Sequence, residues 1–158
     1  MRIGHGYDVH RFDKSRPLVL AGVTIPSHAG LYGHSDADVL THAAMDALLG
    51  AAGLRDIGYY FPDNDPKYSG AVSVELAKTV VKLISDAGYR IINIDATVIA
   101  ETPKLSPYIN NMRASLADAL RVPMADVNIK ATTEEGLGFT GQKLGIAVHA
   151  VCLLDKKI

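Results

Sequence analysis

Apolar residues in this chain follow a two-residue period in some segments and a helical period in others, and this alternation restricts the fold more than any other feature. Residues 3–10 alternate strictly, which predicts a strand with Gly4, Gly6, Asp8 and His10 on one face and Ile3, His5, Tyr7 and Val9 on the other. Further strands are predicted at 18–25, with a tight turn at Ala21-Gly22, and at 91–100, 127–133 and 146–154.

Three helices are predicted between these strands. The first is expected to begin after Ser35, as its N-cap, and to end at Gly53. The second is expected to span 72–87, and the third to run from Ser106-Pro107 to about Leu120. Strands that alternate with helices predict one α+β domain over residues 1–158, in which a mixed sheet carries a layer of helices on one face.

Composition excludes several classes of function. The 158 residues are 48% hydrophobic and 21% charged, as in a globular domain, and a formal net charge of −1 offers no basic surface for nucleic acid or a membrane. No stretch is long and apolar enough for a signal peptide or a membrane span. The single cysteine, Cys152, has no partner for an internal disulfide. We therefore expect a cytoplasmic protein, or a plastid protein if a transit peptide has been removed.

Asp8 and His10 are the first pair of residues in the chain whose spacing indicates a metal site. Two residues apart on a strand, they project from the same face, so a carboxylate and an imidazole lie side by side. His42, in an alanine-rich helix, is the natural third ligand, and three protein ligands with an open fourth position are typical of catalytic zinc. Asp38 and Asp46, one turn to either side of His42, are candidates to accept its second ring N–H. The same residues also occur without a metal, so spacing alone leaves both interpretations open.

Two other segments suit phosphate chemistry. At His34-Ser35, a hydroxyl and an imidazole lie beside the N–H groups of a helix start, which favours an oxyanion, although a simple cap and a solvated loop explain them equally well. The strand with Lys130 and Thr132 runs into Glu134-Glu135 and a glycine-rich loop, whose hydroxyl and carboxylate oxygens suit phosphate and magnesium. Ordinary turns use the same residue types.

Six motifs together resemble one enzyme family. They are GHGYDVH at 4–10, HSDAD at 34–38, DIG at 56–58, FPD at 61–63, KATTE at 130–134 and GFTG at 138–141. In this order and spacing, the chain resembles the 2-C-methyl-D-erythritol 2,4-cyclodiphosphate synthases over essentially its whole length.

The resemblance implies a phosphorus–oxygen lyase of the non-mevalonate isoprenoid route. Such an enzyme converts 4-diphosphocytidyl-2-C-methyl-D-erythritol 2-phosphate to the 2,4-cyclodiphosphate and releases CMP. The resemblance further implies a homotrimer with active sites between neighbouring subunits. The implied cofactors are zinc and a second divalent cation, magnesium or manganese.

The resemblance also implies individual roles. Asp8, His10 and His42 would be zinc ligands, Glu135 would bind the second cation, and His34 and Thr133 would stabilise the transition state. The methylerythritol part would contact Asp56, Gly58 and the loop that contains Phe61, Pro62, Asp63 and Asp65, and Ser35 and Ile57 are further expected substrate contacts. The cytidine diphosphate part would contact Ala100, Pro103, Lys104, Leu105, Ala131 and Thr132, and Phe139 is a further expected substrate contact.

One position departs from the family. Where many members carry arginine after GFTG, this chain has Gln142, followed by Lys143. That arginine is associated with an anion, often an isoprenoid diphosphate, in a cavity along the trimer axis, and glutamine lacks its charged fork. Two alternative functions remain in view: a zinc hydrolase, and a non-catalytic trimer that binds isoprenoid diphosphates.

Overall fold

A computed structural model describes residues 1–157, in which a five-stranded mixed sheet is covered by helices. The sheet has the strand order β4-β1-β7-β5-β6, and its strands are β1 (Arg2–Asp13), β4 (Gly30–Leu31), β5 (Tyr89–Ile99), β6 (Val127–Thr132) and β7 (Gly145–Lys156). A separate hairpin pairs β2 (Leu18–Leu20) with β3 (Val23–Ile25). The helices are α1 (Val39–Ala52), α2 (Ile57–Tyr60), α3 (Ser73–Asp86), α4 (Ile109–Leu120) and α5 (Gly138–Gly141).

The two faces of the sheet differ in burial, as the alternation in the sequence predicts. On β7, the inward side chains are buried against the helical layer: Ile146, Val148, Ala150, Cys152 and Leu154. Among residues 1–157, no helix packs on the opposite face, where Ile3 is 75% exposed. A mixed sheet with helices on one face, and with β5 and β6 parallel, confirms the predicted α+β class.

Glycines on β1 allow α1 to lie directly on the strand. A Cβ at Gly4 would stand 1.9 Å from the carbonyl oxygen of Ala47, and a Cβ at Gly6 would stand 2.0 Å from that of Ala43. These neighbours are helix backbone, which cannot move aside as a flexible side chain can. The close approach places His42, one residue before Ala43, above the next inward residues of the strand.

The first helix begins later than predicted. Its N-cap is Asp38, whose carboxylate accepts from the backbone N–H of Thr41 at 3.0 Å, and not Ser35. Asp38 is fully buried because it also accepts from the N–H groups of Ala21 and Gly22, at 2.9 and 2.7 Å, and so ties the hairpin turn to the helix. The predicted tight turn at Ala21-Gly22 is confirmed by positive φ at both residues.

The structure contains short helical turns where the sequence predicted a loop or the start of an α-helix. The segment 56–70, predicted as loop, contains α2 and a 3₁₀ turn at Pro66–Tyr68. The third predicted helix begins as a 3₁₀ turn at Ser106–Tyr108 before it continues as α4. Within residues 1–157, none of the helices has the length and apolar character needed to cross a bilayer.

Candidate active site

Asp8, His10 and His42 meet at one point, where β1 passes under the first turn of α1. Asp8 Oδ2 lies 2.9 Å from His10 Nε2 and 3.0 Å from His42 Nδ1, and the two nitrogens are 3.3 Å apart. In a tetrahedral zinc site with bonds of about 2.0–2.1 Å, ligand atoms are separated by about 3.3 Å. The three donor atoms therefore stand within about 0.4 Å of the mutual distances in such a site.

Both imidazoles are fixed through their other nitrogen. His10 Nδ1 donates to the carbonyl oxygen of Tyr32 at 2.6 Å, so Nε2 faces Asp8, as a donor when the ring is protonated and with its lone pair when the ring is neutral. His42 Nε2 lies 2.9 Å from the hydroxyl of Ser73 and 3.3 Å from that of Ser35. Carbonyl or hydroxyl acceptors behind histidine are the usual outer partners of metal ligands.

The acceptors proposed for His42 from the sequence are wrong. Asp38 is occupied as the helix cap, and Asp46 accepts from the backbone N–H of Ile57 at 2.8 Å. Both carboxylates lie one helical turn from His42 on the same side of α1, but the His42 ring points away from them, toward β1 and α3. Ser73, from the start of α3, takes that role instead.

The charges of the three side chains are coupled. Burial by itself raises the pKa of Asp8, but hydrogen bonds with His10 and His42 outweigh it and lower that pKa to about 2. Burial likewise lowers the pKa of His10, and the hydrogen bond with Asp8 overcomes this, so that the pKa is raised. The centre thus holds a carboxylate anion at neutral pH, the form in which it ligates a cation.

The metal centre opens into a cavity of about 400 Å³. Six residues with predicted catalytic or substrate roles line it: His34, Ser35, Ile57, Gly58, Phe61 and Asp63. Three further predicted contacts are not in its wall but shape the adjoining turns. Asp56 accepts from the N–H of Tyr59, Asp65 accepts from that of Lys67, and the Pro62 carbonyl accepts from Asp65.

A second cavity, of about 420 Å³, lies where β5 and β6 end. Its wall contains all six residues predicted to contact the cytidine diphosphate part, namely Ala100, Pro103, Lys104, Leu105, Ala131 and Thr132. Thr133, Glu101 and Ser106 complete the wall. The structure therefore brings together a set of residues that are some thirty positions apart in the sequence.

The loop after β6 is held in a defined shape beside this cavity. The Thr133 hydroxyl donates to Glu135 Oε1 at 3.1 Å, and Glu135 has a left-handed backbone with φ of 54°. Glu101 accepts from the N–H of Gly136 at 3.0 Å, and the buried Thr140 hydroxyl donates to Glu134. Glu135 and Phe139 do not line either cavity, and the Phe139 side chain is 41% exposed.

Both cavities lie at the same end of the sheet. In the register of the sheet, Asp8 pairs with Val148, Val148 with Val98, and Val98 with Ala131. Three strand spacings of about 4.8 Å place the backbones of Asp8 and Ala131 roughly 14 Å apart. Within one chain, the metal centre and the second cavity are therefore neighbours but not parts of one cleft.

A larger groove, of about 660 Å³, lies at the other end of β5, between α3 and α4. None of the predicted site residues lines it. Three of its basic side chains are already paired with acids, at 2.7 Å for Lys78–Glu75, 2.5 Å for Lys82–Asp86 and 3.4 Å for Arg90–Asp155. This groove is not part of the candidate site.

Sequence reasoning missed four groups around the two cavities. They are the Tyr32 carbonyl and Ser73, which contact His10 and His42, Asp36, which contacts Ser73, and Glu101, which contacts the backbone of Gly136. A backbone carbonyl leaves no trace in a sequence. Ser73 looks like an ordinary residue of a helix start, and only its pairing with His42 identifies it.

Comparisons with known proteins agree on one family. The sequence profile of the YgbB family matches residues 1–155. The 2-C-methyl-D-erythritol 2,4-cyclodiphosphate synthase of Clostridium novyi is 58% identical over 157 residues, which cover 99% of this chain and 100% of that protein.

Solved structures give the same result. The bifunctional IspDF of Campylobacter jejuni is similar with a TM-score of 0.95 and 46% identity, over 99% of this chain and 42% of that longer one. A CDP complex of IspF from Plasmodium falciparum is similar with a TM-score of 0.86 and 35% identity, over 99% of this chain and 97% of that one. The chain therefore belongs to the YgbB family, that of the 2-C-methyl-D-erythritol 2,4-cyclodiphosphate synthases.

Proposed function

We propose that this chain converts 4-diphosphocytidyl-2-C-methyl-D-erythritol 2-phosphate to 2-C-methyl-D-erythritol 2,4-cyclodiphosphate with release of CMP, at a site built around Asp8, His10 and His42. The observation that carries the proposal is the convergence of these three donor atoms within 3.3 Å, beside a cavity lined by the predicted substrate residues. Identity of 58% to a synthase over nearly the whole chain supports the same reaction.

The reaction is an intramolecular phosphoryl transfer, which explains the residue types at the site. An oxygen of the 2-phosphate attacks the β-phosphorus, the bond from that phosphorus to the oxygen of CMP breaks, and CMP leaves. Because the nucleophile is already an anion, no strong general base is required. The protein has to hold two phosphates together and offset their charge.

Metal ions supply part of that charge compensation. Asp8, His10 and His42 would hold zinc and Glu135 a magnesium or manganese ion, and such ions act as Lewis acids toward phosphate oxygens. The side chains of the chain do the rest. His34 and Ser35, in the wall of the first cavity, are placed to donate hydrogen bonds to phosphate oxygens. Ile57, Gly58 and Phe61 offer a mostly apolar wall for the methylerythritol carbon chain.

The second cavity is assigned to the cytidine diphosphate part of the substrate. Its apolar residues Ala100, Pro103 and Leu105 suit a flat base, while Lys104 and Thr133 offer a cation and a hydroxyl to the diphosphate. The solved CDP complex of the Plasmodium falciparum relative supports a cytidine nucleotide as the ligand.

A homotrimer would complete the site. The two cavities of one chain are separated by three strand spacings, so one substrate bridges them more readily if the second cavity comes from a neighbouring subunit. The helix-free face of the sheet exposes apolar side chains that such an assembly would cover, among them Ile3, Tyr7, Val9 and Val151 at 42–75% exposure. An isoprenoid diphosphate on the trimer axis is expected to bind weakly, because Gln142 carries no charge. The cytoplasmic location expected from the sequence stays a prediction.

Phosphorus NMR of the purified protein with 4-diphosphocytidyl-2-C-methyl-D-erythritol 2-phosphate tests the proposal. We expect cyclic diphosphate and CMP when zinc and magnesium are present, and neither when a zinc chelator is added. Release of inorganic phosphate would show a hydrolase instead. No turnover with both metals supplied would leave a binding protein and refute the proposal.

A further inference from the structure

Asp36 and Ser73 form a hydrogen-bonded chain that ends on the metal centre. Asp36 Oδ2 accepts from the backbone N–H of Ser73 at 2.9 Å, and Oδ1 accepts from the Ser73 hydroxyl. The same hydroxyl lies 2.9 Å from His42 Nε2. Ser73 is completely buried, so water does not compete for these contacts.

The hydrogen bonds among Asp36, Ser73 and a neutral His42 are satisfied by one arrangement of their protons. A serine hydroxyl has one proton, and the Ser73 proton is committed to the Asp36 carboxylate. Toward His42, the oxygen is then only an acceptor, so the proton must lie on His42 Nε2. A neutral imidazole that carries its proton on Nε2 has its lone pair on Nδ1, the atom 3.0 Å from Asp8.

We propose that Ser73 and Asp36 are positioning residues, which hold His42 in the tautomer and ring orientation that present the Nδ1 lone pair to the metal. This inference rests on the zinc centre of the proposed function and extends the contact between Ser73 and His42 to Asp36, which orients the Ser73 hydroxyl.

The alternative partner of His42 is weaker. The Ser35 hydroxyl lies 3.3 Å from Nε2, already accepts from the N–H of Ala37 at 3.1 Å, and has no carboxylate behind it. The Ser73 hydroxyl is closer, and its orientation is set by Asp36. If the Ser73 hydroxyl is removed, Ser35 can therefore replace it only poorly as the partner of His42 Nε2.

Asp36 also connects the centre to the fold. Val72, at the N-cap position of α3, has a side chain that cannot accept a hydrogen bond from the helix start. The Asp36 carboxylate accepts from the backbone N–H of Ser73 instead. The backbone N–H of Asp36 donates to the carbonyl of Ala71 at 3.1 Å. The start of α3 and the loop before α1 are thus held together at the point where His42 is oriented.

Zinc affinity measured by competition with a chromophoric chelator tests the proposal. Loss of such an outer partner typically weakens metal binding about 10- to 100-fold, and we expect a decrease of that size for Ser73→Ala. Ser85→Ala is the matched control, because this hydroxyl lies on the same helix and, in the part of the chain that the structure describes, hydrogen-bonds only to Lys157. We expect wild-type affinity for the control.

Two further readouts separate positioning from a general loss of structure. In ¹H–¹⁵N spectra of the zinc-loaded protein, the His42 Nε2 proton should be protected from exchange in the wild type and exchange faster in Ser73→Ala. Asp36→Asn, which keeps the Ser73 hydroxyl, should show a smaller decrease in zinc affinity. If Ser73→Ala fails to fold, the zinc affinity of Asp36→Asn tests the positioning role instead.

The outcomes are distinct. Wild-type zinc affinity and exchange protection in a folded Ser73→Ala, or in Asp36→Asn if that is the folded variant, would overturn the positioning role alone. A wild-type protein that binds no stoichiometric zinc would refute the metal centre, and the proposed function with it.

Discussion

At the scale of residues, the candidate site depends on a small number of donor atoms, each held by a specific partner. His42 shows this most clearly, because its two ring nitrogens face different elements: Nδ1 faces Asp8 on β1, and Nε2 faces Ser73 on α3. A histidine in that position is constrained from both sides. Its replacement should therefore affect the metal more than the fold.

His42→Ala should abolish stoichiometric zinc binding and reduce turnover by at least about 100-fold, because a two-ligand site no longer holds the ion. The helix itself should persist, since alanine has the best helix propensity. Metal content, turnover by phosphorus NMR and far-UV circular dichroism check the three parts. Full activity in this variant would contradict the zinc assignment.

The stability of the metal-free protein should depend on pH through Asp8. Its pKa is lowered from 3.8 to about 2 by folding, so the folded form binds fewer protons than the unfolded form between these values. The corresponding contribution, about 2 kcal/mol, is present above pH 3.8 and is lost as the pH falls through 2. Denaturant unfolding of chelator-treated protein at several pH values measures it.

Asp8→Asn provides the control for this pH dependence. The amide cannot titrate, so the free energy of unfolding of the variant should vary less over the same pH range. An identical pH profile for the variant and the wild type would show that other carboxylates cause the effect.

At the scale of elements, the decisive contact is that between β1 and α1. Gly4 and Gly6 let the helix backbone lie against the strand backbone, and the next two inward residues of the strand are the candidate metal ligands Asp8 and His10. The contact between β1 and α1 therefore both packs the core and positions the candidate metal ligands. A side chain between the two backbones would disturb both.

Gly6→Ala should destabilise the protein by about 3 kcal/mol or more, because overpacking against backbone has no easy relief. The new Cβ would lie 2.0 Å from the Ala43 carbonyl oxygen. Gly50→Ala is a matched control on α1, where a Cβ meets nothing within 4 Å, and it should stabilise the helix by about 0.5–1 kcal/mol. Denaturant unfolding compares the two variants, and equal effects would contradict this account of the interface.

At the scale of the whole molecule, one chain has two separate cavities, which the proposed trimer would join as the two halves of an active site, and a sheet face on which no helix of residues 1–157 packs. The halves come from the β1–α1 region and from the ends of β5 and β6, at the same end of the sheet. A closed cyclic assembly repeats the contact between unlike surfaces, so each subunit would supply both halves to different sites.

A mixture of two inactive variants tests this arrangement. His42→Ala damages the metal half and Lys104→Glu the nucleotide half, so each alone should have little activity. Unfolded and refolded together in equal amounts, they should regain about one quarter of wild-type turnover, because a quarter of the interfaces combine two intact halves. Mixtures that stay inactive would show that each site is built within one chain.

Gln142→Arg tests the proposed cavity on the trimer axis. The added guanidinium should strengthen binding of an isoprenoid diphosphate and leave turnover nearly unchanged. Gln142→Met, uncharged and of similar length, controls for the change in size. Titration calorimetry compares the three proteins, and equal affinities would refute a diphosphate site at this position.

The fold class, the two-sided strand at residues 3–10, the hairpin turn at Ala21-Gly22 and the candidate metal ligands could all be predicted from the sequence. The first three features depend on local periodicity, which is visible without coordinates. His42 lies 34 residues from Asp8, and its prediction as a ligand rests on its alanine-rich helix and on the family resemblance. The same local reasoning placed the first N-cap at Ser35 and missed β4, because a two-residue strand leaves too short a pattern.

The orientation of His42 and the relation between the two cavities, by contrast, could be seen only in three dimensions. Ser73 and Asp36 are 37 residues apart, and Glu101 and Gly136 are 35 residues apart, yet each pair is joined by a hydrogen bond. No local pattern encodes such a pairing, because it depends on where the sheet and helices bring distant backbone segments together. Helical spacing pointed to Asp38 and Asp46 as partners of His42, whereas packing against α3 assigned that contact to a serine from another element.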